Sequence, residues 1–139
     1  MIKLEGIDHL VLRTTKLPDM LNFYCQVLGA KLERELPKEM GLVQLRAGNA
    51  LIDLVTVDSQ LGQLGGKPPS QDGRNVDHFC LQIVPVEEHV LLEYLSQHNI
   101  ACEGFAERYG AEGFGRSLYI QDPEGNVVEL KPSRQPPTS

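Results

Sequence analysis

The sequence predicts an α+β fold made of two paired βαβββ modules. Three observations predict it. The order strand, helix, strand, strand, strand is legible twice along the 139 residues. Residue patterns repeat in register: Ile7-Asp8-His9-Leu10 returns as Val76-Asp77-His78-Phe79, 69 residues on, and Leu51-Ile52-Asp53-Leu54 returns as Val127-Val128-Glu129-Leu130, 76 residues on. The composition, 41% hydrophobic and 23% charged, is that of a globular chain. A chain of this length buries roughly two thirds of its unfolded surface, so neither a disulfide nor a structural metal is needed to hold it. The reading is one domain over 1–135, with module one at 4–57, a linker at 58–75, module two at 76–132 and a flexible tail at 133–139.

Residues 7–13 read as a strand, with Ile7, His9, Val11 and Arg13 on one face and Asp8, Leu10 and Leu12 on the other. Pro18 suits the first turn of a helix whose apolar stripe is Leu17, Leu21, Tyr24 and Leu28, capped by Gly29. A short strand at 30–35 follows, then a hairpin of 41–46 and 50–57 turned at Ala47-Gly48-Asn49. Residues 58–75 carry Gly62, Gly65, Gly66, Pro68, Pro69 and Gly73 with no periodicity, and read as a long loop. The second module starts with a strand at 76–83. A helix runs from Pro85 to about His98, burying Val90, Leu91, Tyr94 and Leu95, with Asn99 as its cap and His89 and His98 facing solvent. A short strand is expected at 101–104 and a Gly-containing loop at 107–114, which would absorb the seven extra residues of this module. The last hairpin, 115–121 and 126–131, turns at Asp122-Pro123-Glu124-Gly125.

Charge and cysteine content exclude several classes. With 13 basic against 19 acidic residues, a net charge of −6 and no basic cluster, neither nucleic acid nor an anionic membrane is an expected partner. Apolar runs such as Ala50-Leu51-Ile52 are too short to span a bilayer, and the first residues lack a signal-peptide core, so a cytoplasmic location is the default. Cys25, Cys80 and Cys102 form no CxxC pattern and read as small buried hydrophobes in a reducing compartment.

The repeat puts a histidine on the first strand of each module and a carboxylate on the last. If the modules pair about a pseudo-twofold axis, His9, Asp53, His78 and Glu129 converge. Two imidazoles and two carboxylates suit a divalent metal with positions left for water or substrate. A lone strand histidine is more often structural. A carboxylate on an apolar strand is more informative, because burying it unpaired is costly.

These stretches, with Phe23-Tyr24-Cys25-Gln26-Val27-Leu28-Gly29 and the run from Tyr119-Ile120-Gln121-Asp122-Pro123-Glu124 to Leu130, resemble the vicinal oxygen chelate superfamily over residues 4–132. That superfamily includes glyoxalase I, bleomycin-resistance proteins, fosfomycin-resistance thiol transferases and extradiol dioxygenases. The resemblance implies sheets curled around a central divalent metal ion (Ni, Co, Zn, Mn or Fe), a small-molecule substrate and a homodimer. Its glyoxalase I branch implies a lyase or isomerase acting through a metal-stabilised enediolate, with Glu129 as the leading base and Asp53 as its partner across the metal. In that branch an arginine four residues after the first histidine, here Arg13, contacts a substrate carboxylate; on this strand it lies on the His9 face about 13 Å further along. Asp53 stands where glyoxalase I has Glu, and Val57 where it has Asn. Tyr119, ten residues before Glu129, has the spacing of the dioxygenase tyrosine. Arg116, with Arg13, is the cation available for an anionic substrate in the thiol-transferase reading. A drug-binding protein without enzymatic activity is the remaining alternative, against which the intact ligand set counts.

Overall fold

The computed structural model describes residues 1–134; residues 135–139, which hold most of the expected flexible tail at 133–139, lie outside the described residues. The chain divides into two compact units, Met1–Asn75 and Val76–Ser139.

The first unit contains β1 (His9–Thr14), α1 (Leu17–Leu21) continuing as a π-helical turn (Asn22–Val27), β2 (Lys31–Glu35), β3 (Leu42–Ala47), β4 (Ala50–Thr56) and α2 (Gln60–Gln63). Its sheet has the order β1-β4-β3-β2, with β1 parallel to β4 and the other pairs antiparallel. The helical crossover after β1 is what allows β4 to return parallel beside it. Leu12, Val43, Leu45, Ile52 and Leu54 share one sheet face through this register and are all buried.

The helix departs from the expected stripe. Met20, Phe23, Tyr24 and Val27 are the buried residues, whereas Leu17, Leu21 and Leu28 are only half-buried. The Leu28 amide donates to the Phe23 carbonyl, a five-residue step at 3.0 Å. Each such step adds a residue to the turn and rotates the apolar stripe away from the 3.6-residue pattern. Gly29, at φ +83°, ends the segment as expected.

Residues 58–75 are less irregular than their composition suggests. Ser59 caps α2, its Oγ accepting from the Gly62 amide at 3.1 Å. Gly62 is there for a steric reason, since a Cβ on it would stand 1.8 Å from the Thr56 carbonyl oxygen. Gly62→Ala is therefore expected to destabilise the chain by about 1–3 kcal/mol, as is usual for overpacking. Urea unfolding checks this: the midpoint falls while the slope stays constant.

The second unit contains β5 (His78–Ile83), α3 (Glu88–Gln97), β6 (Ala106–Gly110), β7 (Gly113–Gln121) and β8 (Val127–Pro132). Its sheet repeats the topology, β5-β8-β7-β6, with β5 parallel to β8. Together the units form two four-stranded mixed sheets of βαβββ order, the predicted fold class.

No strand forms at 101–104; β6 lies at 106–110, mostly within the segment read as loop, and its turn to β7 is only Ala111 and Glu112. Gly113 at φ +93° permits that tight turn, and the cross-strand rings of Tyr109 and Phe114, 5.0 Å apart, fix its register. The surplus length sits chiefly after the helix, where the connection is 98–105 against 28–30 in the first unit. In α3 Leu95 is buried and Leu91 and Leu92 are half-buried, while Val90 and Tyr94 are exposed. Leu91 and Leu95 sit one turn apart on the inward face; Val90 and Tyr94 are each one position, about 100°, off it. Asn99, at φ +59°, adopts the left-handed conformation of a helix terminus.

β6 and β7 fold over Lys131. This lysine is buried and donates through Nζ to the carbonyls of Arg108 (2.9 Å) and Gly113 (3.0 Å). The three cysteines are free thiols, but not buried ones: Cys25 and Cys102 are half-buried and Cys80 is exposed. Strand parity puts Cys80 on the polar face of β5 with His78 and Gln82. Among the described residues no helix is long and apolar enough to cross a membrane.

Candidate metal centre

Each unit sets a histidine and a carboxylate on one face of its sheet. In the first, the parallel register sets Val11 of β1 against Asp53 of β4, so His9, Val11 and Asp53 share a face. His9 precedes Val11 at the strand's exposed start, and Asp8, just before the strand, folds back to it: Asp8 Oδ1 lies 2.6 Å from His9 Nδ1. A carboxylate at Nδ1 fixes the ring and leaves Nε2 for a ligand. Asp53 is 3% exposed. Its Oδ2 accepts from the Gln44 amide at 3.2 Å, and its Oδ1 is buried with no hydrogen-bond partner.

The second unit repeats the device. Asp77 Oδ2 lies 2.6 Å from His78 Nδ1. The registers Cys80 with Glu129 and Tyr119 with Glu129 put His78, Cys80, Glu129, Tyr119 and Ser117 on one face. Glu129 is buried; its Oε2 accepts from Ser117 Oγ at 2.7 Å, and its Oε1 lies 3.6 Å from His78 Nε2. The Tyr119 and His78 rings meet in a T-shaped contact, centroids 5.4 Å apart, and the Arg108 guanidinium lies over the Tyr119 ring, 4.1 Å from its centroid. Although Cys80 as a whole is exposed, desolvation of its sulfur, then the neighbouring Glu129 charge, push its thiol up to about 11, which disfavours the thiolate a nucleophile needs.

The two arginines singled out in the sequence are engaged elsewhere. Arg13 does share the His9 face, but its Nη1 donates to the Lys67 carbonyl (2.8 Å) and its Nη2 to those of Gly62 (2.9 Å) and Gly66 (2.7 Å). Asn75 holds the backbone of the same residue from both sides, its Oδ1 accepting from Arg13 N and its Nδ2 donating to Arg13 O. Arg13 thus ties down the 62–67 loop. Arg116 forms a two-pronged ion pair with Glu88 at 2.6 and 3.0 Å, which raises the arginine and lowers the carboxyl. Strand parity turns it to the face of β7 opposite Ser117 and Tyr119.

Among the described residues no group of three or more His, Cys, Asp or Glu side chains is placed to hold a metal ion; each unit by itself supplies a histidine and a carboxylate. The donor chemistry nonetheless fits a cation. The unpartnered, buried Asp53 Oδ1 is costly without a positive neighbour, and the Glu129 Oε1 to His78 Nε2 separation is too long for a hydrogen bond. Asp8, Asp77, Gln44, Ser117 and Arg108 were not singled out from the sequence. The Asp-His pair repeated in both modules was the one available signal for the first two.

The His9 contact has a pH consequence. The Asp8 hydrogen bond, helped by the Asp53 charge and opposed by burial, raises the His9 pKa above 6.5. A ligating imidazole must be unprotonated. Cation uptake through His9 is therefore expected to fall as pH is lowered through that raised value, beginning above 6.5. Binding isotherms from mildly alkaline to mildly acidic pH check this, with Asp8→Asn moving the loss to lower pH.

Two βαβββ units with a histidine at the start of the first strand and a carboxylate in the last define the vicinal oxygen chelate class of protein. The chain belongs to the Glyoxalase/Bleomycin resistance protein/Dioxygenase superfamily, whose family model matches residues 6–130. It is 28% identical over 127 residues to a virulence protein of Salmonella typhimurium, covering 91% of this chain and 83% of that one. The crystal structure of that virulence protein superposes with a TM-score of 0.76 at 26% identity, covering 96% of this chain and 100% of the other. An integron cassette protein of V. cholerae gives 0.76 at 27% identity, covering 96% and 99%. A lactoylglutathione lyase from Agrobacterium tumefaciens shares the fold at a TM-score of 0.66 and 22% identity, covering 94% and 95%. The superfamily thus includes enzymes, and its members commonly bind divalent metals and act on small molecules.

Proposed function

We propose that the chain is a divalent-metal-dependent lyase or isomerase of glyoxalase I type, acting on a small oxygen-chelating substrate such as a glutathione hemithioacetal. The observation that carries this reading is the repeated half-site: in each unit an aspartate holds a histidine at Nδ1 and a buried carboxylate shares that histidine's sheet face. His9, Asp53, His78 and Glu129 would hold the ion, which is Ni, Co, Zn, Mn or Fe by donor type. When bound, it supplies Lewis acidity to substrate oxygens. The chain's own part is to move a proton between adjacent carbons, for which Asp53 and Glu129 are the available carboxylates. Tyr119 walls the site beside His78. Arg13 and Arg116 contribute to substrate binding only where a substrate anion displaces the partners they already have. A homodimer and a cytoplasmic location complete the reading.

Elemental analysis of freshly purified protein tests it, followed by a methylglyoxal and glutathione assay with that metal restored. Stoichiometric Ni, Co or Zn and turnover support the lyase. Bound iron with oxygen uptake on catechols replaces it with a dioxygenase, and a metal-free protein that binds a drug one to one replaces it with a sequestering protein.

A further inference from the structure

Glu129 and Asp53 occupy matching repeat positions, and each accepts from a neutral side chain that an arginine backs. Asp53 accepts from the Gln44 amide, whose Oε1 accepts from Arg34 Nη1 at 3.2 Å, and its second oxygen has no partner. Glu129 sits at the end of a longer chain of contacts within its own sheet. Ser117 is fully buried, and its hydroxyl has one proton, which it donates to Glu129 Oε2 at 2.7 Å. What fixes the hydroxyl is Arg108: its Nη1 donates to Ser117 Oγ at 3.1 Å and also to the Ser117 carbonyl. The guanidinium in turn lies over Tyr119, which stands against His78. Among the described residues Arg108 has no carboxylate partner in an ion pair, unlike Arg46, which pairs with Glu33, and Arg116, which pairs with Glu88.

We propose that Ser117, held by Arg108, is a positioning residue that pins Oε2 of Glu129 and so makes this carboxylate a one-oxygen ligand, presenting Oε1 beside His78 Nε2. The assignment rests on the metal reading above and specifies how one ligand meets the ion. The pin is complete before any ion arrives, because every contact in it is made by the chain alone. A carboxylate with one oxygen already engaged loses little further freedom on binding, and hydrogen-bonded ligands of this kind hold metal more tightly. A positive group behind the hydroxyl strengthens its bond to the carboxylate.

Two measurements on the full chain test it, with Co(II) alone as the probe. The first is a double-mutant cycle in metal-free protein using Ser117→Ala and Glu129→Leu, which removes the acceptor where glutamine would keep one, read as urea midpoints. If the pin exists, the double variant loses less than the two single losses together; strictly additive losses overturn the relay. The second is Co(II) titration with the visible spectrum recorded. Ser117→Ala is expected to bind about tenfold or more weakly and with a changed spectrum. Ser117→Thr, which keeps the hydroxyl, restores both, and Arg108→Met, which keeps Ser117, shows a smaller loss of the same kind. Wild type that binds Co(II) while Ser117→Ala binds it identically overturns the relay and leaves the metal reading intact. Wild type that takes up no Co(II) overturns the metal reading, and the one-oxygen ligand with it, even where the cycle shows coupling.

Discussion

His78→Ala is expected to abolish metal retention. In the second unit His78 is the histidine whose Nδ1 is held by Asp77 and whose Nε2 lies beside Oε1 of Glu129, so no nearby imidazole replaces it. The effect reads out without any knowledge of the substrate. An ion at a thousand times its dissociation constant stabilises the folded state by about 4 kcal/mol. For a chain of this size that raises the melting temperature by on the order of 10 °C. The rise should be present in wild type and absent in His78→Ala, with the metal content measured after desalting falling in parallel. The side chain is 39% exposed, so its removal leaves no core cavity and the metal-free variant should melt close to metal-free wild type. Full metal occupancy in this variant would sink the assignment.

Asp53→Asn should give effects of opposite sign in the two states. Without a cation, Asp53 keeps a carboxylate 3% exposed with one neutral hydrogen bond and an unpartnered Oδ1. Asparagine keeps the shape and removes the charge, so the metal-free protein should gain stability, by less than the about 1–3 kcal/mol cost of an unsatisfied group because a polar atom stays buried there. In the presence of metal the variant should lose most of the ion's stabilisation, because the amide is a poor ligand for a divalent cation beside imidazole. Urea unfolding with and without metal separates the two. A metal-free variant that is less stable than wild type, or one that responds to metal as wild type does, contradicts the assigned role of Asp53. A purely structural aspartate would be destabilised in both conditions.

What the sequence discloses and what it hides divide along physical lines. The repeat disclosed the topology because it records which strands alternate and where a carboxylate interrupts an apolar strand; β4 and β8 carry Asp53 and Glu129 at matched places. The π-helical turn escaped because one backbone step, Leu28 to Phe23, resets the helical phase without any residue marking it. β6 escaped because Gly110 and Gly113 look like loop residues, although one makes room for Lys131 and the other makes the turn. Arg13 and Arg116 were legible as cations but not as engaged ones, since their partners lie 49 to 54 and 28 residues away. Ser117 and Arg108 are nine residues apart and meet only because β6 and β7 form a hairpin, so misplacing β6 hid the contact that holds the Ser117 hydroxyl.

Lys131 carries a consequence for how this sequence can drift. A Cβ on Gly110 would stand 2.8 Å from its Nζ, and one on Gly115 would stand 3.1 Å from its Cε. Because both carbonyl contacts hold the ammonium in place, it cannot swing aside without breaking them. The three positions are therefore coupled: a descendant that replaces Lys131 with a shorter side chain releases residues 110 and 115 from glycine, one that fills Gly110 first must move the ammonium off its two carbonyls, and one that fills Gly115 needs a shift of only a few tenths of an ångström.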